Sequence, residues 1–297
     1  MVSCYKCRNK PVIVSSQAMC RKHFISYFED KVKRTIRKFG LVERKQKIVV
    51  AASGGKDSTS LLYIFHKLGF DVEALAIDEG IHGYRDVTLD DLKAFCQNHN
   101  IKLKIVSFKE SFGFSLDELL KKKQFHPCMA CGILRRNALN KAARNYDVIA
   151  TGHNLDDEAQ SVMMNLVKAN VHLLPRLGPK TGQVVNSRFT PRVKPLYLCS
   201  EKEVATYAFL QGFSIKFTEC PNASGSFRAS IRDLLNGMEA KNQGTKLGIV
   251  NSFLKMLPFL KQMPLAGEIV YCSDCGEPSS KDICSACCII KAVNDKL

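Results

Sequence analysis

Along the chain, short runs that are apolar throughout alternate with longer segments whose apolar residues recur every three to four positions. Residues 47–52, 72–78, 102–108 and 148–151 have the length and composition of strands buried on both faces. Residues 58–68, 89–99, 132–144 and 157–166 carry helical spacing between and after them, as Leu61, Leu62, Ile64, Phe65 and Leu68 illustrate. This alternation predicts an α/β fold with a doubly wound parallel sheet, whose ligands sit beyond the carboxyl ends of the strands. Further helices are expected at 27–39, 200–211, 228–239 and 247–260. Residues 170–195 show no periodicity and read as one long loop. Its Arg176, Lys180, Arg188, Arg192 and Lys194 either track a phosphate backbone or form a solvated basic surface.

The charge balance adds a partner. Forty-four Lys and Arg oppose 28 Asp and Glu, a formal net charge of +16 that favours a polyanion, most simply nucleic acid. No apolar run approaches the roughly 20 residues of a membrane span, and "MVSCYKCRNK" lacks the apolar core of a signal peptide. A cytoplasmic protein with no membrane role is expected. In that setting 13 cysteines point to metal or sulfur chemistry rather than a disulfide framework.

The cysteines fall into three groups. "CYKC" and "CRKH" give Cys4, Cys7, Cys20 and His23; "CSDC" and "CSAC" give Cys272, Cys275, Cys284 and Cys287. Each is a complete tetrahedral zinc set that staples a small terminus, with Cys288 beside the second as a weaker ligand. The middle group, Cys128 and Cys131 with Cys220, lacks a fourth thiol. Three thiolates suit an iron–sulfur cluster with an open iron, or a catalytic thiol pair that carries a persulfide. Cys96 and Cys199 lie in apolar segments and read as core.

Between the first strand and its helix stands "SGGKDS", Ser53 to Ser58. Adjacent glycines permit a sharp turn and a close backbone approach, and the first amides of a helix favour an anion. The spacing departs from G-x-x-x-x-G-K-[ST] and resembles the PP-loop of enzymes that split ATP into AMP and pyrophosphate. After the fourth strand comes "TGHNLDDEA". There Gly152 allows close approach, Asp156 and Asp157 can hold magnesium or ribose or cap the next helix, and His153 is either a base or, as the favoured reading, a satisfied polar residue. Arg135 and Arg136 follow the middle cysteine pair, placed to neutralise phosphate or charge developing at adenylation.

In order and combination, S-G-G-K-D-S, P-C-x-x-C-G, T-G-H-N-L-D-D-E, E-C-P and the two terminal zinc fingers resemble the tRNA 2-thiouridine synthetases of the PP-loop superfamily. These are the archaeal and eukaryotic wobble-uridine enzymes and their thermophilic T-loop relatives. The resemblance implies three parts: a zinc finger at 1–28, a PP-loop ATPase and thiolation domain at 29–265, and a second zinc finger at 266–297. It implies a homodimer, and a 4Fe–4S cluster on Cys128, Cys131 and Cys220 with the fourth iron free. It implies nucleotide contacts at Ala51, Ser53, Gly54, Gly55, Asp57, Ser58, Ile77, Gly152 and Asp157. Lys56 and magnesium would join the two glycines in stabilising pyrophosphate. Cys128, Cys131, Cys220, Asp57, Arg135 and Asp157 form the expected catalytic set. Some relatives carry Lys where Arg135 stands, so a proton-transfer role there is in doubt.

The expected reaction adenylates the C2 oxygen of a tRNA uridine and replaces it with sulfur. A composition without thermophilic character favours the wobble position over the T-loop. The donor is free sulfide, a ubiquitin-like thiocarboxylate carrier or a desulfurase. The rivals are a persulfide on Cys128 or Cys220, a zinc-stapled RNA-binding module with a regulatory nucleotide loop, and a lysidine-type ligase.

Overall fold

Six strands build one sheet, in the order β5-β4-β3-β6-β8-β7. The computed structural model describes residues 2–14, 17–122, 124–182, 188–214, 220–222, 226–263 and 269–294. Residues 183–187 of the basic loop, Glu219 of the E-C-P motif and the expected junction at 265/266 lie outside the described residues.

A hairpin, β1 (Ile13–Val14) and β2 (Ala18–Met19), precedes α1 (Arg21–Phe39). The sheet begins with β3 (Ile48–Ala51), followed by α2 (Lys56–Lys67), β4 (Val72–Asp78), α3 (Arg85–Asn98) and β5 (Leu103–Ser107). Then come α4 (Phe108–Phe112), α5 (Leu116–Lys121), α6 (Pro127–Ala142), β6 (Val148–Thr151) and α7 (Leu155–Val167). A 3-10 turn (Val171–Arg176), β7 (Lys180–Thr181) and β8 (Arg192–Val193) lead to α8 (Glu201–Gln211), α9 (Phe227–Lys241) and α10 (Thr245–Leu260). The hairpin β9 (Val270–Tyr271) and β10 (Pro278–Ser279) and then α11 (Ser285–Asn294) follow.

Strands β3, β4, β5, β6 and β8 are parallel, and only the edge pair β7–β8 is antiparallel. The chain steps outward from β3 to β4 and β5, then returns to place β6 on the other side of β3. The crevice between β3 and β6 is therefore the topological switch point, where doubly wound sheets bind ligands.

Alternate residues of each strand enter opposite cores. Ile48, Val50, Ala74, Ala76, Val148 and Ala150 pack under α1, α2, α3 and α8, with Phe24, Phe28, Phe65 and Tyr207 fully buried among them. Val49, Leu75, Ile77 and Ile149 face α4, α5 and α6. That second core continues into the C-terminal module through Ala286, Ile289 and Val293 of α11. Helices α7, α9 and α10 form a flanking layer around Tyr197, Leu235 and Phe253. Among the described residues no helix is long and apolar enough to cross a membrane.

Two features depart from the sequence reading. The basic segment is not one structureless loop: it supplies β7 and β8, and Arg192 and Val193 extend the sheet beside Ile149 and Ala150. Two-residue strands are too short to leave a period in the sequence. The first helix begins at Arg21 rather than near Tyr27, so the expected junction at 28/29 falls inside α1.

Candidate active site at the switch point

The turn from β3 into α2 closes on itself through two hydroxyls. Ser53 N–H donates to Ser58 Oγ at 3.1 Å, Gly55 N–H donates to Ser53 Oγ at 3.3 Å, and Ser58 Oγ–H donates to Gly55 O at 3.2 Å. Gly54 has φ +81°, and a Cβ there would stand 2.2 Å from Thr88 O. Gly55 gives α2 no capping side chain, so the first-turn amides are left for a ligand. Across the crevice, a Cβ on Gly152 would stand 2.8 Å from Ser58 N and 2.9 Å from the Asp57 carbonyl carbon. Two backbones therefore meet at a distance that only glycine allows. The loop, its amides and its hydroxyls fit the phosphates of ATP.

A cleft of about 500 Å³ opens from this point between the sheet and α6. Ala51, Ser53, Asp57, Ser58, Ile77, Gly152 and Asp157 line it, together with Arg135 of the cysteine helix. Gly54, Gly55 and Lys56 do not. Lys56 Nζ is held 3.0 Å from both Asp57 and Glu201, which keep it charged against its burial.

The two aspartates of T-G-H-N-L-D-D-E separate. Asp157 closes a capping box with Asn154, faces the cleft and lies 3.5 Å from Arg228. Asp156 turns into the flanking layer, accepts from Glu201 N–H at 2.8 Å and pairs with the buried Lys246. It anchors α8 and α10. Asn154 Nδ2 donates to Asp57 at 3.0 Å, so it joins both cleft carboxylates. Burial raises the pKa of Asp57 and of Asp157; Asp157 adds to the first and Glu201 to the second. Carboxylates held together at this cost suit a divalent cation such as magnesium.

His153 also lines the cleft, its Nδ1 2.9 Å from Thr151 Oγ1. Enclosure, then the charges of Lys194, Arg228, Arg192 and Arg135, push its pKa down to about 3. It is neutral at physiological pH and a weak base. Its ring nitrogens should titrate below pH 5 in a histidine NMR titration, and protonation above pH 6 would contradict this field.

None of the three middle thiols lines the cleft; α6, which carries two of them, contributes Gly132, Arg135 and Arg136 to its wall. Cys128 and Cys131 occupy the first turn and a half of α6, one exposed and one buried. Cys128 Sγ donates to Asn222 O at 3.3 Å, two residues beyond Cys220. Cys220 packs against the same apolar cluster as Cys131. Arg135 Nη2 donates to Cys131 Sγ at 3.3 Å.

The terminal sets differ in spacing. The ligand atoms of Cys4, Cys7, Cys20 and His23, and those of Cys272, Cys275, Cys284 and Cys287, all lie within 4.8 Å of one another. Cys7–Cys20 and Cys275–Cys284 sulfur separations of 3.7 Å match the roughly 3.8 Å edge expected of a tetrahedron with 2.3 Å zinc–sulfur bonds. Among the described residues these are the only such groups, so the middle trio is not drawn tight around a single ion. Three thiols without a fourth ligand fit a cluster instead. Cys288 stays exposed, outside the second set. Cys96 and Cys199 are buried thiols, raised to about 11 and about 12 by burial.

Sequence reasoning missed Glu79 and Arg85. Glu79 is buried and takes Arg85 Nε at 3.0 Å and Arg135 Nε at 3.3 Å. Arg85 in turn donates to Ser53 O at 2.7 Å and Ile77 O at 2.9 Å. One carboxylate thus joins the phosphate loop to the arginine that touches Cys131. Nothing local marks such a pair, since Glu79 follows a strand and Arg85 opens the next helix.

A sequence profile described as a PP-loop domain matches residues 25–237. A tRNA-5-methyluridine(54) 2-sulfurtransferase of Pyrococcus horikoshii is 39% identical over 91% of this chain and 86% of its own length. The chain belongs to the PP-loop tRNA 2-thiolation family. Cytoplasmic tRNA 2-thiolation protein 1 of Danio rerio is a further relative, 32% identical over 99% of this chain and 89% of its own. Among solved structures, the U34-tRNA thiolase NcsA from Methanococcus maripaludis with its 4Fe–4S cluster superposes with a TM-score of 0.84. It shares 30% identity over 99% of this chain and 97% of that one.

Proposed function

We propose that this protein is a cytoplasmic, ATP-dependent tRNA 2-sulfurtransferase that acts on the wobble uridine. The observation that carries the reading is a cleft that opens from the phosphate loop and is lined by Arg135, whose guanidinium donates to Cys131, one of the three middle thiols. Similarity to a U34 thiolase over 99% of the chain supports the wobble position. The 39% identity to a position-54 enzyme favours the T-loop as the second reading.

In this scheme the uracil C2 oxygen attacks the α-phosphorus of ATP. An O–P bond forms, the bond to the bridging oxygen breaks, and pyrophosphate leaves. The α2 amides, Ser53 and Ser58 meet the charge on the departing group. Asp57 and Asp157 would hold a magnesium ion, which would supply positive charge to the phosphates. A sulfur nucleophile then adds to C2, and the oxygen leaves with AMP. Cys128, Cys131 and Cys220 would hold a 4Fe–4S cluster, which with only three protein ligands would offer an iron able to bind sulfide. Arg135, fixed by Glu79, stands where negative charge arises in the cleft. A persulfide on Cys128 or Cys220 is the alternative carrier. Free sulfide or a ubiquitin-like thiocarboxylate carrier would be the source for the cluster route, whereas a persulfide would be loaded by transfer of sulfane sulfur from the persulfide of a desulfurase, whose thiol leaves. The two terminal sets would each hold one zinc ion. The resemblance implies a homodimer, supported by Leu234, Met238, Met256 and Phe259, left exposed on α9 and α10.

Incubation with ATP, sulfide and unmodified tRNA should release AMP and pyrophosphate only when tRNA is present. Mass spectrometry should place 2-thiouridine at position 34. Thiolation at 54 would select the second reading, and tRNA-independent ATP use with no thionucleoside would end both.

A further inference from the structure

Most charges in the cleft are spoken for. Asp57 pairs with Lys56, Asp157 with Arg228, and Glu79 with Arg85 and Arg135. Two guanidinium groups are left over, Arg136 on α6 and Arg192 on β8. Neither has an anionic or hydrogen-bonding side-chain partner among the described residues. Arg136 folds back over its own helix, with Nη1 3.4 Å from where a Gly132 Cβ would stand. Burial and then Arg135 weaken Arg136's hold on its proton, opposed by Cys131, while burial and then Arg136 weaken that of Arg192. Such like charges persist side by side when an anion is meant to lie between them.

We propose that Arg136 and Arg192 form a second phosphate subsite, apart from the phosphate loop, that takes a phosphodiester of the RNA beside the target uridine. The proposal rests on the thiolation reading above. The loop already offers ATP its amides and hydroxyls. Arg192 lies two strands from β3, about 10 Å across the sheet. Its strand also leads out of the cleft toward a basic flank. Arg188, four residues earlier, lies with its guanidinium 4.7 Å from the Tyr271 ring and donates to Gly276 O at 2.5 Å. Arg188 at the C-terminal module and Arg192 in the cleft thus stand four residues apart on one segment, one on each side of the proposed RNA path. Arg is suited to this role because its planar fork grips two phosphate oxygens at once.

The test uses the full chain as R136Q, R192Q and the double variant, with R136K/R192K as the charge-keeping control. Thermal midpoints and circular dichroism confirm folding. Unmodified tRNA transcript is bound by filter assay across a salt series, and a non-hydrolysable ATP analogue is bound by calorimetry. The expected result for the double Gln variant is tRNA binding about tenfold weaker near physiological salt. The log–log salt slope should be shallower by about 0.8, as one lost phosphate contact requires. Affinity for the ATP analogue should change less than about threefold, and the Lys pair should recover most of the tRNA affinity. Weakened nucleotide binding with an unchanged tRNA slope would assign the pair to ATP's own phosphates and overturn the proposal. An unchanged slope with both ligands bound normally would overturn it too. If the unaltered protein itself fails to bind tRNA, the thiolation reading falls along with the subsite.

Discussion

Cys220→Ala should abolish thiolation, by about a thousandfold or more, while ATP binding changes less than about threefold. Cys220 is half-exposed and packs against the outside of the cluster that holds Cys131, not among its buried members. Its removal therefore opens no large cavity, and the fold should survive. The thiol reaches none of the groups that line the phosphate loop, so nucleotide affinity should stay. What is lost is the third ligand, and two thiols cannot hold a cluster that needs three. Iron bound after anaerobic reconstitution should fall with activity. Cys199→Ala is the control: that thiol is fully buried away from the cleft, and its loss should touch stability alone. Thiolation retained by the Cys220 variant would remove the three-thiol role and favour a persulfide on Cys128.

Gly152→Ala should cost about a hundredfold in ATP-dependent turnover. The added methyl would stand within 3 Å of two backbone atoms, Ser58 N and the Asp57 carbonyl carbon, which no rotamer change can move aside. The end of β6 must retreat from the start of α2, and a shift of even about 1 Å at a phosphate site costs on this order. Overpacking should also lower stability by roughly 1–3 kcal/mol. Gly55→Ala is the contrasting case. Its new methyl would meet only Ser53 Oγ at 3.4 Å, and the backbone there is extended. A nucleotide dissociation constant for each variant decides the matter. If Gly152→Ala binds ATP as tightly as the unaltered protein, the contact between β6 and α2 does not set the loop.

The strands and helices around the switch point were legible because each has its own period: β3, β4, β5 and β6 as solid apolar runs, α2 and α7 as amphipathic ones. The phosphate loop and the cysteine sets were legible because their chemistry demands fixed spacing. What escaped is instructive. Helices α4 and α5 open on S-x-x-E capping boxes at Ser107–Glu110 and Ser115–Glu118, but at 5 and 6 residues each is too short to show an amphipathic period. Strand β8 was hidden in a segment whose composition suggested a surface loop, although Arg192 points into the cleft. Lys194 likewise pairs with the buried Glu158 at 2.7 Å instead of meeting solvent. Glu79, Arg85, Glu201 and Lys246 act through partners far along the chain, and pairing of that kind leaves no local trace.

The C-terminal module is bolted to the sulfur end of the molecule. Its Cys284 and Cys287 share an apolar cluster with Cys131, and its buried Glu277 takes Asn140 of α6 at 2.8 Å and pairs with Arg144. Lys122, just beyond α5, donates to Val293 O of α11 at 2.6 Å. Truncating this module to ask whether it grips RNA would therefore also remove the back wall of the helix that presents two of the three thiols. Losses of RNA affinity and of sulfur transfer would arrive together, so point changes on its outer face, not deletions, are what can tell the two apart.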